Sequence, residues 1–383
     1  MYKFPDMVLK LSFLSLFTDM SSEMIFPLLP VFLTSLPGGG PFVLGLIEGI
    51  AESTASFLKL VSGVLSDRFK RRTPFVIAGY GMAGLVRPLI AFATVWPVVL
   101  MLRFFDRVGK GLRSSPRDAL IADSVPSERR GSAYGLQRIM DHTGAIAGPL
   151  IAYLLMGALG FSIRQVFLFA AVPSVIVLLI ISTLKEPSIK PAPIEVTRTE
   201  DQDVMLRDYY LLLAAVFVFT LGNSSDAFLL MRLSNVGIGT QYIALLWAIH
   251  HIFKIAGAWI GGQFSDRINR KILMLTGLGL YALIYTAFGT FSSGFMLIGT
   301  FIIYGVSIGI LEPTERAWVS ELTRADKRGS AFGFYHGAKG FGALPASVIF
   351  GFLWHQFGGM AAFLTGAACA VVAMGIVIFI KKS

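Results

Sequence analysis

The chain of 383 residues holds one cysteine, Cys369. That excludes an intrachain disulfide and any multi-cysteine metal site. Alone in an apolar run, Cys369 reads as a small buried hydrophobe. Charge is scarce as well: Asp, Glu, Lys and Arg make up 15% of the residues, against about 25% in an ordinary soluble domain. Acid is the scarcer sign, with 23 Asp and Glu against 33 Lys and Arg, a net charge of +10. The sequence has no Gly-x-x-x-x-Gly-Lys-Ser/Thr phosphate loop, which argues against ATP as its energy source. It has no His-Glu-x-x-His zinc helix and no Gly-x-Ser-x-Gly nucleophile turn in a fitting context, so no enzyme, cofactor or resident metal is expected.

What is abundant is apolar surface. Hydrophobic residues make up 55% of the chain, with 32 Phe, and they fall in runs of roughly 20 residues, the length that crosses a bilayer as a helix. Apolar runs read against turn signals predict an all-α membrane protein with twelve spans, at 8–33, 41–66, 74–95, 97–123, 131–157, 164–184, 208–233, 239–263, 271–291, 294–319, 329–354 and 358–381. The first run lacks a small-residue cleavage site and is expected to be a retained helix.

The connecting loops alternate. DRFKRR, PSERR, DRINRK and RADKR are basic, whereas SLPGGGP, TVWP, SNVGIG, FSSG and QFGG contain no Lys or Arg. Basic loops stay on the cytoplasmic side, so both termini are expected there. The net charge is thus explained by topology, and nucleic acid is not an expected partner. Residues 185–207, KEPSIKPAPIEVTRTEDQDVMLR, are polar and contain proline. They read as a linker between two six-helix bundles, 1–184 and 208–383.

The halves repeat one another. Ser-Asp-Arg at 66–68 returns at 265–267, RGSAYG at 130–135 returns as RGSAFG at 328–333, and Ser-Ser-Glu at 21–23 returns as Ser-Ser-Asp at 224–226. Three matches in the same order indicate a duplicated six-helix unit, and parallel repeats of this kind place substrate near the midplane of the membrane.

The loop Gly63-x-x-x-Asp67-Arg68-x-x-Arg71-Arg72, echoed around Asp266 and Arg267, resembles the signature loop of the major facilitator superfamily. The resemblance covers essentially the whole chain. Arg107-Val-Gly-Lys110-Gly111 is similar to the Arg-x-x-Gln-Gly motif of that superfamily's drug:proton antiporters, with Lys in place of Gln. Gly144-Ala-Ile-Ala-Gly148-Pro149 is similar to their Gly-x-x-x-Gly-Pro motif, followed here by Leu150-Ile151-Ala152 instead of the usual glycines. The resemblance implies two bundles related by pseudo-twofold symmetry about the membrane normal, alternating access, a monomer and a bacterial inner-membrane location. It gives Gly63, Asp67, Arg68, Asp266 and Arg267 a gating role as cytoplasmic latches, one per half.

Ionisable residues inside spans are costly and mark function. Asp19 and Glu23 lie four apart on one face of the first span, where a desolvated carboxylate can take a proton on one side and release it on the other. Glu23 is the first expected proton carrier, Asp226 at the repeat position the second, with Asp19 beside Glu23. The second span carries Glu48, Glu52 and Lys59, with Glu48 expected in the outer half. The fourth carries Arg103, Asp106, Arg107, Lys110, Arg113, Arg117 and Asp118, and such a helix cannot face lipid. Arg107, Lys110, Arg87, Arg138, Asn223, His250 and Lys254 are the expected substrate-binding residues. His250 and His251 are adjacent and point in different directions on a helix, which disfavours a joint metal site. Arg113 and Arg117 in one half, with Glu312 and Glu315 at the matching place in the other, suggest a charge-paired gate.

The sequence therefore predicts a secondary transporter coupled to protons, with a small molecule, protons and the lipid bilayer as partners. Export of drugs by proton antiport is the leading expectation. Transport of an organic anion or metal chelate is the alternative, because the same spans are rich in bases. A non-transporting sensor on the same fold is the alternative of another class.

Overall fold

In a computed structural model, residues 4–69, 71–125, 130–185, 203–265, 269–322 and 328–381 are described, and nearly all of them are helical. The predicted spans are present, several of them in two pieces. The first is α1 (Asp6–Ile25), a 3-10 turn at Phe26–Leu28 and α2 (Leu29–Thr34). Pro27 and Pro30 cause this interruption, since proline supplies no backbone N–H to the helical ladder. Then follow α3 (Pro41–Phe69), α4 (Thr73–Leu89), α5 (Trp96–Asp123) and α6 (Arg130–Leu159). The sixth span is α7 (Ile163–Phe169) with α8 (Ala171–Ile181). The seventh is α9 (Asp203–Gly222) with α10 (Ala227–Asn235). The rest are α11 (Thr240–Ser265), α12 (Arg270–Thr290), α13 (Gly294–Glu321), α14 (Arg328–Phe357) and α15 (Gly359–Ile378).

Among the described residues, nine spans are long and apolar enough to cross a bilayer. The charged helix α5 is not one of them, as its composition foretold. It is long enough to span at 28 residues, but it must cross against other helices that satisfy its charges.

The chain forms two compact units. Unit 1 comprises the described residues of Met1–Gly39, Ile50–Pro191 and Gly239–Ala248, and unit 2 those of Gly40–Gly49, Ala192–Ile238 and Ile249–Ser383. The first turns of α3 thus pack with unit 2 and the first turns of α11 with unit 1, segments that a division at the linker assigns the other way. Small residues allow this: Gly45 and Gly351 let the start of α3 lie backbone to backbone on α14, where a Cβ on Gly351 would stand 2.6 Å from the Pro41 carbonyl oxygen.

The interiors of the units differ. Unit 1 has an aliphatic core of Val8, Leu11, Leu14, Val76, Leu120, Ile121 and Val177 around the ring of Tyr80. Unit 2 is aromatic: Tyr281 stacks on Tyr285 at 4.2 Å between ring centroids, and Phe288, Phe301, Tyr304 and Phe363 pack around the pair.

The Gly144-x-x-x-Gly148 motif has a packing role that is independent of transport direction. Both glycines press against the backbone of α1, and a Cβ on either would collide with a carbonyl oxygen, of Leu16 for Gly144 and of Met20 for Gly148. Small-xxx-small spacing permits such backbone approach within a membrane. Here it fixes the stretch of α1 that carries Asp19 and Glu23. Gly148→Val is expected to cost about 1–3 kcal/mol by overpacking, read as a lowered midpoint of thermal unfolding; an unchanged midpoint would remove this packing role.

Candidate functional site

In unit 1 the ionisable side chains gather around α1 and α5. Glu23 accepts a hydrogen bond from the indole of Trp247 on α11 at 2.6 Å, and the Trp247 ring packs on Phe26 at 5.1 Å. Asp19, one turn before Glu23, has Asp141, Glu23, Arg113 and Lys110 as its charged neighbours. Asp141 on α6 is oriented by Gln137 at 2.6 Å, which also bonds Ser15 of α1 at 3.1 Å. The two expected carriers of the first span thus share their surroundings with a third carboxylate.

The bases of α5 separate into two groups. Arg103 and Arg87 both serve Asp106: Arg87 Nε lies 2.8 Å from Asp106 Oδ1 and Arg103 3.6 Å from Oδ2. All three are buried. Arg87 also donates to the carbonyl of Thr18 at 2.6 Å, tying α4 to α1 directly before Asp19. Its geometry is that of a positioning residue. The second group faces Glu52, a half-buried carboxylate paired with Arg107 at 3.3 Å. Lys110 has Arg107, Glu52, Lys59 and Asp19 as charged neighbours. Among the described residues, no carboxylate engages it at ion-pair distance.

Of the expected gating residues in this unit, Arg113 is buried over the face of Tyr80, 4.7 Å from the ring centroid, a cation–π contact. Arg117 bonds Asp118 at 2.9 Å and Ser15 at 3.1 Å. Gly63 sits on α3 facing Ser115 of α5, and Arg68 is exposed. The side chain of Asp67 and the whole of Asp266 and Arg267 lie outside the described residues. The basic loops do take part in pairs at similar places in the two halves. Arg72, before α4, pairs with Asp123 at the end of α5, and Arg270, opening α12, pairs with Glu321 at the end of α13. Arg138 is largely exposed and lies 3.9 Å from Asp141.

Unit 2 is organised around the seventh span, which is not continuous. Residues 223–225 leave the helix between α9 and α10. Asp226 follows them and accepts from the Tyr304 hydroxyl at 2.5 Å. Asn223 Oδ1 accepts from Tyr281 at 3.2 Å. Glu48, expected in the outer half of its span, is buried in this unit and accepts from Ser225 at 3.3 Å. His250 is buried and stacks on Phe301 and Tyr304 at 5.0 and 5.4 Å, the arrangement of a histidine packed in an aromatic core. Lys254 is 3.7 Å from Glu312, which Arg316 engages at 2.7 Å. Glu315 is buried and takes hydrogen bonds from Tyr335 at 2.6 Å and Lys339 at 2.8 Å. The four expected gate residues Arg113, Arg117, Glu312 and Glu315 therefore each have partners inside their own unit. Among the described residues, no group of three or more His, Cys, Asp or Glu is placed to hold a metal ion.

Sequence reasoning missed Trp247, Tyr304 and the partner of Glu48, and gave no role to Asp141, an ionisable residue it noted in the fifth span. The aromatic partners carry no signal in a chain with 32 Phe and 11 Tyr. The interruption at Asn223-Ser224-Ser225-Asp226 did carry one, because runs of such residues favour turns over helix.

The comparisons agree with this architecture. The Major Facilitator Superfamily model matches residues 11–249 and 211–383. An MFS-type transporter of Methanocaldococcus jannaschii is 32% identical over 378 residues, covering 97% of this chain and 94% of that protein. The multi-drug resistance efflux pump PmrA of Streptococcus pneumoniae is 25% identical over 371 residues, covering 92% and 90% of the two chains. Among solved structures, a D-xylose–proton symporter superposes with a TM-score of 0.76 at 16% identity, over 98% of this chain and 99% of that one. At that identity the likeness speaks for the fold alone. With both halves matched by one family model and a relative above 30% identity along nearly its whole length, the chain belongs to the major facilitator superfamily of secondary transporters.

Proposed function

We propose that the chain is a proton-coupled secondary transporter working by alternating access, and that it exports small molecules by proton antiport. The observation that carries this reading is the carboxylate set of unit 1. Glu23 sits within a membrane span and accepts from the Trp247 indole at 2.6 Å, and Asp19, one turn away, has both Glu23 and Asp141 as charged neighbours. A carboxylate within a span can take a proton on one side of the membrane and release it on the other. The multi-drug efflux pump among the relatives supports export as the direction. The basic loops support both termini on the cytoplasmic side, and the family resemblance alone supports a bacterial cytoplasmic membrane.

A second reading, transport of an organic anion or metal chelate, is favoured by one observation: Lys110 stands beside Arg107 and Lys59, and among the described residues no carboxylate engages it at ion-pair distance. The two readings separate in energised everted vesicles carrying a pH-sensitive dye. Lipophilic cations such as ethidium are expected to discharge the lumenal proton store, and Lys110→Met to leave that response in place. Discharge by citrate or a ferric chelate, absent with cations and lost in Lys110→Met, would overturn drug export and establish the anion reading.

A further inference from the structure

We propose that Asp141 of α6 is a proton-relay residue: the coupling proton passes between Glu23 and the end of unit 1 at which α1 and α6 begin, through Asp19 and Asp141 in series. The proposal rests on the reading of Glu23 as proton carrier and adds to it a route and a residue.

The seam of α1 and α6 fixes the order of the acids. A Cβ on Gly144 would stand 2.3 Å from the Leu16 carbonyl oxygen and 3.0 Å from the Met20 nitrogen. One on Gly148 would stand 2.4 Å from the Met20 carbonyl oxygen and 3.1 Å from the Met24 nitrogen. Four residues along α6 thus match four along α1, and the two helices run side by side in the same direction. Asp141, three residues before Gly144, then lies level with Ser15. Ser15, Asp19 and Glu23 follow one another at four-residue intervals on one face of α1. Asp141, Asp19 and Glu23 therefore form a staircase with steps of about 6 Å along the helix axis.

The surroundings agree with this order. The charge of Asp141 bears on Asp19 more strongly than that of Glu23, one turn away on the same helix. The bases facing Asp19 are Arg113 and Lys110 of α5. Those facing Asp141 are Arg117 of α5 and Arg138 of α6. Gln137 donates to Asp141 Oδ2 at 2.6 Å and to Ser15 at 3.1 Å, holding the carboxylate against α1. Arg138 approaches the same Oδ2 at 3.9 Å, which leaves Oδ1 for a proton. Beyond Ser15 the polar side chains continue: Arg117 donates to Ser15 and pairs with Asp118, half exposed near the end of α5. Glu23, Asp19 and Asp141 are each half-buried, as groups that exchange protons through a cavity must be, whereas Asp106 is sealed at 1% exposure.

On passage toward that end, a proton leaves the Glu23 carboxyl for the Asp19 carboxylate and then Asp19 for Asp141 Oδ1, each donor being left as a carboxylate. Such transfers run directly or through one water. One water with two hydrogen bonds bridges about 6 Å, one step of the staircase and not two. Removing Asp141 therefore opens a gap after Asp19.

The test compares the native chain with Asp141→Asn and Asp141→Glu. In energised everted vesicles given ethidium, Asp141→Asn is expected to slow the initial proton discharge by about tenfold or more, and Asp141→Glu to restore most of the rate. In weakly buffered detergent solution given tetraphenylphosphonium, both ends of the route meet the same solution. There Asp141→Asn is expected to release as many protons at equilibrium as the native chain, which also shows that it is folded. Discharge at the native rate in Asp141→Asn would overturn the relay. So would an Asp141→Glu as slow as Asp141→Asn, the mark of a packing role, or loss of the detergent release in Asp141→Asn, which would make Asp141 the carrier itself. Failure of the Glu23 reading shows separately, as undiminished proton release from Glu23→Gln.

Discussion

Asp106→Leu is expected to be among the most destabilising single substitutions in the chain, at about 3–5 kcal/mol, the cost of breaking a buried ion pair by removing one partner. Asp106 takes Arg87 at 2.8 Å and Arg103 at 3.6 Å, with side chains 4% or less exposed. Without it, two guanidinium groups stay charged in a space that water does not reach. Arg87 would also lose the partner that aims it at the Thr18 carbonyl, so the damage is expected to spread to α1 and its two acids. The double variant Arg87→Met with Asp106→Leu removes both charges of the shorter pair and is expected to regain a large part of the loss. Thermal unfolding of the two variants in detergent is the check. A single variant within about 0.5 kcal/mol of the native protein, the ordinary range for a surface change, would contradict the account of α5 as a helix held by internal charge pairing.

The second large effect is functional. Glu23→Gln keeps the size and the hydrogen-bonding capacity of the side chain but cannot cycle a proton. Substrate-driven proton discharge in everted vesicles is expected to fall to the level of vesicles without the protein. Trp247→Phe leaves the carboxylate and removes its indole donor. A hydrogen bond to a charged group contributes about 1.5–3 kcal/mol, so a fall of about tenfold or more in the initial rate is expected, with coupling intact. A graded order, native above Trp247→Phe above Glu23→Gln, places the proton on Glu23. Full discharge by Glu23→Gln would move it to Asp19 or out of unit 1.

Much of this architecture could be read from the chain itself. Apolar runs broken by Gly, Pro and basic clusters placed the spans closely: 97–123 is observed at Trp96–Asp123 and 131–157 at Arg130–Leu159. The expectation that so charged a helix as α5 is protected from lipid follows from desolvation alone, and the internal pairs of Arg87, Arg103 and Arg107 agree with it. What the sequence could not supply was the pairing. Glu23 with Trp247, Arg87 with Asp106 and Glu48 with Ser225 join distant parts of the chain, and helical periodicity says which face a residue lies on, not what stands opposite. Glu48 illustrates the limit: position along its span suggested a depth but no partner, and the packing of the first turns of α3 within unit 2 buries it beside the broken helix. His250 is a further case: helical position set it on a face with Lys254, but not that its ring stacks on Phe301 and Tyr304.

The central claim is that a carboxylate of α1 carries the coupling proton, and proton release by the purified protein tests it most directly. In weakly buffered detergent solution with a pH-sensitive dye, tetraphenylphosphonium added to the native chain is expected to release protons. The same addition is expected to release them from Asp226→Asn and to release none from folded Glu23→Gln. Release from Glu23→Gln equal to the native protein, with loss in Asp226→Asn, would contradict the account and put the coupling proton in unit 2.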